Sequence, residues 1–209
     1  MADGKTRHNP EPEADLLIEK LSRECNVDKD QVLVTNGATE AIYLIAQSYS
    51  RSDSGIFIPT FSEYEDACRI YKHNINYYNH DILNSNIQFD DDVVWICNPN
   101  NPDGTIIGDE LLLKVINSNP DSLFVVDEAF IEYTNCVISL RDEVKNYSNL
   151  LIIRSMTKHY GIPGLRLGYI LGAKEVIDYI KNYRMPWAVN GLAIEAGKFL
   201  LQNKEEFKF

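Results

Sequence analysis

The sequence contains no C-x-x-C pair, no H-x-x-x-H spacing and no mixed Cys/His cluster. Its four cysteines (Cys25, Cys68, Cys97, Cys136) are therefore expected to be reduced thiols, and its four histidines (His8, His73, His80, His159) do not form a metal site. No apolar run approaches the roughly 20 residues needed to cross a bilayer. The first residues, Met1 to His8, are polar where a secretory signal would be apolar. Positive charge is in the minority. Twenty Lys and Arg against 31 Asp and Glu leave a net charge of -11, which disfavours nucleic acid and anionic membrane as partners. A cytoplasmic protein is the expectation. A phosphorylated small molecule stays open as a ligand, because one local pocket can oppose the global charge.

The 209 residues are 44% apolar and 11% aromatic, enough for the core of one domain, or of one domain and a piece of another. Residues 1–13 end in Asn9-Pro10-Glu11-Pro12 and read as an extended arm, since each proline disfavours helix in the residue before it. The remainder, 14–209, alternates helical and strand-like runs. Helices are expected from Ala14 to Cys25, from Gly37 to about Tyr49, after Ser62, and around Asp109–Asn117, Lys174–Lys181 and Asn190–Leu201. Ser62-Glu63-Tyr64-Glu65 fits a capping box. Short apolar strands are expected at Val32–Thr35, Ile56–Ile58, Ile75–Tyr78, Val93–Cys97, Leu123–Val126, Leu151–Ile153 and Leu167–Leu171. Near-continuous apolar strands between helices imply an α/β domain with a mostly parallel central sheet sandwiched by helices.

Several signatures fail. Ser155-Met156-Thr157-Lys158 matches S-x-x-K, but neither S-D-N nor K-T-G occurs. There is no G-x-S-x-G elbow and no G-x-G-x-x-G fingerprint, and Gly191 through Gly197-Lys198 has the wrong spacing for a P-loop. What survives lies at three strand ends: Asn98-Pro99-Asn100-Asn101, Asp127-Glu128, and Arg154 to Lys158. Open α/β sheets bind ligands beyond the carboxyl ends of their strands, so these ends would bring an amide, a carboxylate and an amine to one place.

Lys158 alone reads equally as a surface lysine. Its neighbours argue otherwise. Ser155 and Thr157 offer hydroxyls, and Arg166 in Gly164-Leu165-Arg166-Leu167-Gly168 offers a guanidinium suited to phosphate. An amine beside a phosphate site suggests a cofactor with both an aldehyde and a phosphate. Asp127 closes an apolar strand, where a carboxylate is costly to bury without a partner; it is either a cap or the partner of a protonated pyridine nitrogen. Asn101 is either a turn residue or a donor to the cofactor's phenolic oxygen. Gly37 and Ala38 open a helix, whose free amides favour a phosphate. Tyr64 is either core or a ring stacked on the cofactor.

Together, Asn36 to Glu40, Pro59 to Tyr64, Asn98 to Gly104, Asp127 to Phe130 and Ser155 to Gly168 resemble the fold-type I, class I/II aminotransferases. The nearest branch is that of histidinol-phosphate aminotransferase and threonine-phosphate decarboxylase of cobalamin synthesis. The resemblance runs from about Arg7 to Leu201. It implies pyridoxal 5'-phosphate as cofactor, held as a Schiff base by Lys158, with Asp127 under the pyridine nitrogen, Asn101 on the phenolic oxygen and Tyr64 on the ring. The phosphate would sit among Gly37, Ala38, Ser155, Thr157 and Arg166. Thr157 to Gly168, Met185 to Asn190 and Phe130, where aminotransferases of the branch usually have tyrosine, look more like the decarboxylase. The resemblance further implies a homodimer acting on a small phosphorylated amino acid or amine. An aminotransferase is the alternative reading, and an inactive fragment or binding module that keeps the fold is the third.

Two departures accompany the resemblance. The family continues into a small C-terminal domain that usually carries an arginine for the substrate carboxylate, so the chain is expected to represent the large domain alone. Asn9 stands where the family usually has a tyrosine reaching the neighbouring subunit's cofactor phosphate.

Overall fold

The structure, a computed structural model, describes residues 9–84 and 86–207. The first eight residues of the expected arm lie outside them. Ala14, at φ 60, turns the chain into α1 (Asp15–Glu24). Then follow β1 (Val32–Thr35), α2 (Gly37–Ser48), β2 (Asp53–Ile58), α3 (Glu63–Ile70), β3 (Asn74–Asn79), β4 (Val93–Cys97), α4 (Asp109–Ser118), β5 (Leu123–Asp127), β6 (Leu150–Ser155), α5 (Met156–His159), β7 (Gly168–Gly172), α6 (Lys174–Lys181) and α7 (Gly191–Gln202).

The strands form one sheet in the order β1-β7-β6-β5-β4-β2-β3. Five of them, β3, β2, β4, β5 and β6, pair in parallel; β7 runs against both β6 and β1. The expected mostly parallel α/β architecture is what the chain adopts. Because β2 leads to β3 on one side while β4 leads to β5 and β6 on the other, the strand order reverses between β2 and β4. That is where open sheets leave a crevice at their carboxyl ends.

Every residue of β4, β5, β6 and β7 is buried, which explains why these strands read as unbroken apolar runs. Alternation persists underneath. Val94, Ile96, Phe124, Val126, Leu150 and Ile152 join the core beneath α1, α4 and α7. Val93, Trp95, Leu123, Val125, Leu151 and Ile153 join the one beneath α2, α3 and α6. Residues at the strand ends inherit this two-fold alternation. Asp127 and Ser155 thus point to the second face, and Glu128 and Arg154 to the first. Edge strand β3 is largely exposed and carries Asn74, Asn76 and Asn79, polar residues that discourage further strand addition.

The capping box expected at Ser62 does not form. Ser62 lies in the right-handed helical region (φ -62, ψ -24) and its side chain caps nothing. A helix cap needs extended backbone to aim its hydroxyl at the first turn; here the turn is closed by backbone bonds, with Tyr64 N donating to Phe61 O (3.4 Å) and Asp66 N to Ser62 O (3.0 Å).

One glycine fixes the sheet against the start of α2. A Cβ on Gly168 would lie 2.7 Å from Ala38 N, 2.8 Å from Arg154 O and 2.8 Å from Gly37 C, all backbone atoms unable to retreat. Gly168→Ala is therefore expected to cost roughly 1–3 kcal/mol by overpacking. Thermal unfolding measures this; a variant as stable as the parent would mean that α2 shifts freely over β7.

Candidate active site

The carboxyl ends of β4, β5 and β6 and the first turns of α2, α3 and α5 surround a cleft. Its wall includes Ala38, Tyr64, Asn101, Asp127, Ser155, Thr157, Lys158 and Arg166. Eight of the nine positions singled out in the sequence thus meet in one place. The ninth, Gly37, is buried just behind the wall.

At one end is a cup rich in donors. Gly37 opens α2 with φ +83, a left-handed conformation costly for other residues, and a Cβ there would lie 2.6 Å from Nη2 of Arg166. The absence of a side chain is what lets the guanidinium lie against the helix N-terminus, whose first amides have no intrahelical acceptor. Arg166 is itself held in the left-handed region (φ 55) and donates through Nη1 to Pro163 O (3.1 Å). Ser155 Oγ and Thr157 Oγ1 bond to each other at 2.8 Å, so two hydroxyls face the same cup. Amides, hydroxyls and a guanidinium suit an anion with several acceptor oxygens.

At the floor, Asp127 is 4% exposed. Tyr64 Oη donates to its Oδ2 (2.8 Å) and Ala129 N to its Oδ1 (2.9 Å). Burial pushes the Asp127 carboxyl up from its usual range, while these two hydrogen bonds and the charges of Lys158 and Arg154 pull it down. A carboxyl so placed gains most from a cationic partner in the cleft. Cys97, on the same wall, is no nucleophile: burial raises its thiol to about 12, and Sγ–H donates to Pro99 O (3.3 Å).

Lys158, on the one-turn helix α5, is exposed at the cleft and holds Nζ 5.6 Å from the centroid of the Phe130 ring. Tyr133 Oη donates to Lys158 O (3.0 Å), which ties α5 to the segment after β5. The Asn98–Gly104 loop is braced by its other amides: Asn98 bonds Ile107 in both directions (Nδ2 to O 2.9 Å, N to Oδ1 3.0 Å), and Asn100 Nδ2 reaches Pro59 O and Asp103 Oδ1. The Asn101 carboxamide, at the cleft, makes no hydrogen bond among the described residues and is available to a ligand.

Tyr64 differs from expectation. It lines the cleft but is 1% exposed, its ring stacks on Trp95 (centroids 5.7 Å, 24°), and its hydroxyl serves Asp127. Phe61, three residues earlier and only partly buried, offers its ring to the cleft instead. Phe61 and Ala129, both on the wall, were not among the positions singled out in the sequence; the P-x-aromatic step before α3 was the available signal for Phe61.

Comparison with known proteins accords with this geometry. A family model described as aminotransferase class I and II matches residues 6–208. The histidinol-phosphate aminotransferase of Methanococcus aeolicus is 32% identical over 95% of this chain, and the matched region spans 57% of that relative. The crystal structure of L-threonine-O-3-phosphate decarboxylase from Porphyromonas gingivalis matches with a TM-score of 0.93 at 42% identity, covering 99% of this chain and 67% of that one. The histidinol-phosphate aminotransferase from Sinorhizobium meliloti, in complex with pyridoxal-5'-phosphate, matches with a TM-score of 0.86 over 99% of this chain and 60% of its own; at 18% identity the likeness is one of fold. Among the described residues no helix is long and apolar enough to cross a membrane. The chain belongs to the class I and II aminotransferase family, whose members depend on pyridoxal phosphate.

Proposed function

We propose that this chain is the large, cofactor-binding domain (14–209, preceded by the arm 1–13) of a pyridoxal-phosphate enzyme that acts as a homodimer on a small phosphorylated amino acid. The observation that carries the reading is the convergence of a lysine amine, a buried carboxyl and an anion cup on one cleft at the sheet's reversal point. The Arg166 guanidinium seated over Gly37, with the first α2 amides and the Ser155 and Thr157 hydroxyls, fits the phosphate; Lys158 fits the aldehyde; Asp127 fits the pyridine nitrogen. Pyridoxal phosphate, when bound, supplies a protonated ring able to accept electron density from the substrate's Cα.

The chain's own residues do the rest. Arg166, the α2 amides and the Ser155 and Thr157 hydroxyls anchor the phosphate and so fix the ring's position. Asp127, steadied by Tyr64 and Ala129 N, keeps a proton on the pyridine nitrogen. Asn101 donates to the phenolic oxygen. Phe61 provides the stacking face that the sequence reading gave to Tyr64. Lys158 Nζ would hold the aldehyde, and its amine could carry a proton to or from the substrate's Cα.

Decarboxylation of a threonine-phosphate-like substrate is the favoured reaction. The 42%-identical structure is a threonine-phosphate decarboxylase, and Phe130 presents a hydroxyl-free ring beside Lys158. The histidinol-phosphate aminotransferase reading rests on the 32%-identical relative. Incubating the loaded protein with O-phospho-L-threonine is expected to release CO2 without consuming a 2-oxo acid. Transfer of the amino group from histidinol phosphate to 2-oxoglutarate, with no CO2 from phosphothreonine, would reverse the choice; neither reaction would leave a binding module.

A further inference from the structure

On the face of the sheet opposite the cleft, directly behind Asp127 and Ser155, sits a cluster of charges that the proposed chemistry does not use. Arg154 is 7% and Glu128 2% exposed. Arg154 Nη1 donates to Glu128 Oε2 (3.2 Å) and Ser139 Oγ (3.0 Å), and its Nη2 pairs with Glu132. Glu128 is satisfied on both oxygens: Ser139 Oγ donates to Oε2 (2.5 Å) and Leu140 N to Oε1 (2.7 Å). Buried ion pairs of this kind add little net stability compared with apolar packing, because desolvation offsets their attraction. Their worth must be sought in geometry.

The cluster's connections are specific. Glu128 follows Asp127, and Arg154 precedes Ser155, so the pair ties together the last positions of β5 and β6. Glu132 lies in the 3-10 turn Ile131–Tyr133, which follows Phe130 and contains Tyr133, the residue bonded to Lys158 O. Ser139 begins the next 3-10 helix, Leu140–Lys145. One guanidinium therefore joins the segments that present the ring partner, the cup hydroxyl and the lysine. A second, smaller cavity lies behind Ser155, lined by Arg154, Glu132, Arg141 and Tyr169 among others.

We infer that the Glu128–Arg154–Glu132 cluster is a clamp, with Arg154 its positioning residue, that sets the spacing between Asp127 and the phosphate cup so that both ends of one ligand are held at once. The inference rests on the cofactor reading above. A clamp of this kind makes a distinctive prediction. If spacing is lost, the ring partner and the cup each still bind, but not together. The preference for pyridoxal phosphate over pyridoxal, which lacks the phosphate, then shrinks. General loosening would weaken both ligands alike and leave that preference untouched.

Arg154→Lys keeps the charge but loses the planar fork that reaches three partners. The dissociation constants of pyridoxal phosphate and pyridoxal would be measured on the protein and on this variant, alongside thermal unfolding. The preference, the pyridoxal constant divided by the pyridoxal phosphate constant, is expected to fall about tenfold in Arg154→Lys, short of the roughly hundredfold that a 1 Å misplacement can cost. Glu132→Gln, whose side chain is 25% exposed in the parent and so tolerates loss of charge, is expected to lower the ratio by a smaller factor and carries the test if Arg154→Lys does not fold. A ratio unchanged in the folded variants overturns the clamp and leaves the cofactor reading standing. A parent protein with no preference for the phosphorylated form overturns the cofactor reading, and the clamp with it.

Discussion

Lys158→Ala is expected to abolish covalent attachment of pyridoxal phosphate and the visible absorption band that accompanies it. Nothing else among the described residues at the cleft can substitute. Burial holds the Cys97 thiol protonated, and the cup and floor present hydroxyls, amides, a guanidinium and a carboxyl. The cup and Asp127 survive the substitution, so noncovalent binding should persist, measurable by fluorescence or calorimetry. In an active parent, turnover should fall by about 10³-fold or more, since the amine is both attachment point and proton carrier. A band unchanged in the variant would remove Lys158 from its role.

Asp127→Asn is expected to separate stability from function in opposite directions. Burial raises the Asp127 carboxyl's pKa in the ligand-free fold. The folded chain therefore keeps a proton that the unfolded chain releases near the ordinary value of about 3.9. The stability tied to this neutral form is fully present below that value and is lost as pH rises through the higher folded pKa. Asparagine never ionises, and it keeps both contacts if its Oδ1 accepts from Ala129 N while its Nδ2 donates to Tyr64 Oη, whose hydroxyl can turn to accept. At neutral pH the ligand-free variant should accordingly unfold at a temperature equal to or above the parent's, and the difference should vanish towards pH 4. Other titrating groups, Glu128 among them, are common to both proteins and cancel in the comparison. Affinity for pyridoxal phosphate should move the other way, by roughly a hundredfold, the usual cost of removing one member of a buried charged pair. An Asn variant that binds as tightly as the parent would make Asp127 a structural residue only.

The fold was legible where a strand was apolar throughout or a helix strongly amphipathic. Val93–Cys97 and Lys174–Lys181 coincide with their expected spans, because a strand buried on both faces and a strongly amphipathic helix leave plain patterns. The end of β6 was less plain: Arg154 and Ser155 continue the strand beyond the apolar run, and only tertiary pairing to Tyr169 and Gly168 reveals it. At the site, chain order sufficed to assemble the lysine, the carboxyl and the cup. Two features needed three dimensions. Tyr64 and Phe61 both carry rings, and which one faces the cleft depends on Trp95 lying beneath Tyr64. The Arg154 cluster draws on residues up to 26 positions apart, none of which advertises its partner in the sequence.

The most direct test of the account is to load the purified protein with pyridoxal phosphate, reduce with borohydride, digest, and map the modified peptide by mass spectrometry. One stoichiometric adduct is expected, on Lys158 in the peptide that follows β6. A modification spread over surface lysines, or placed mainly on another residue, would contradict it.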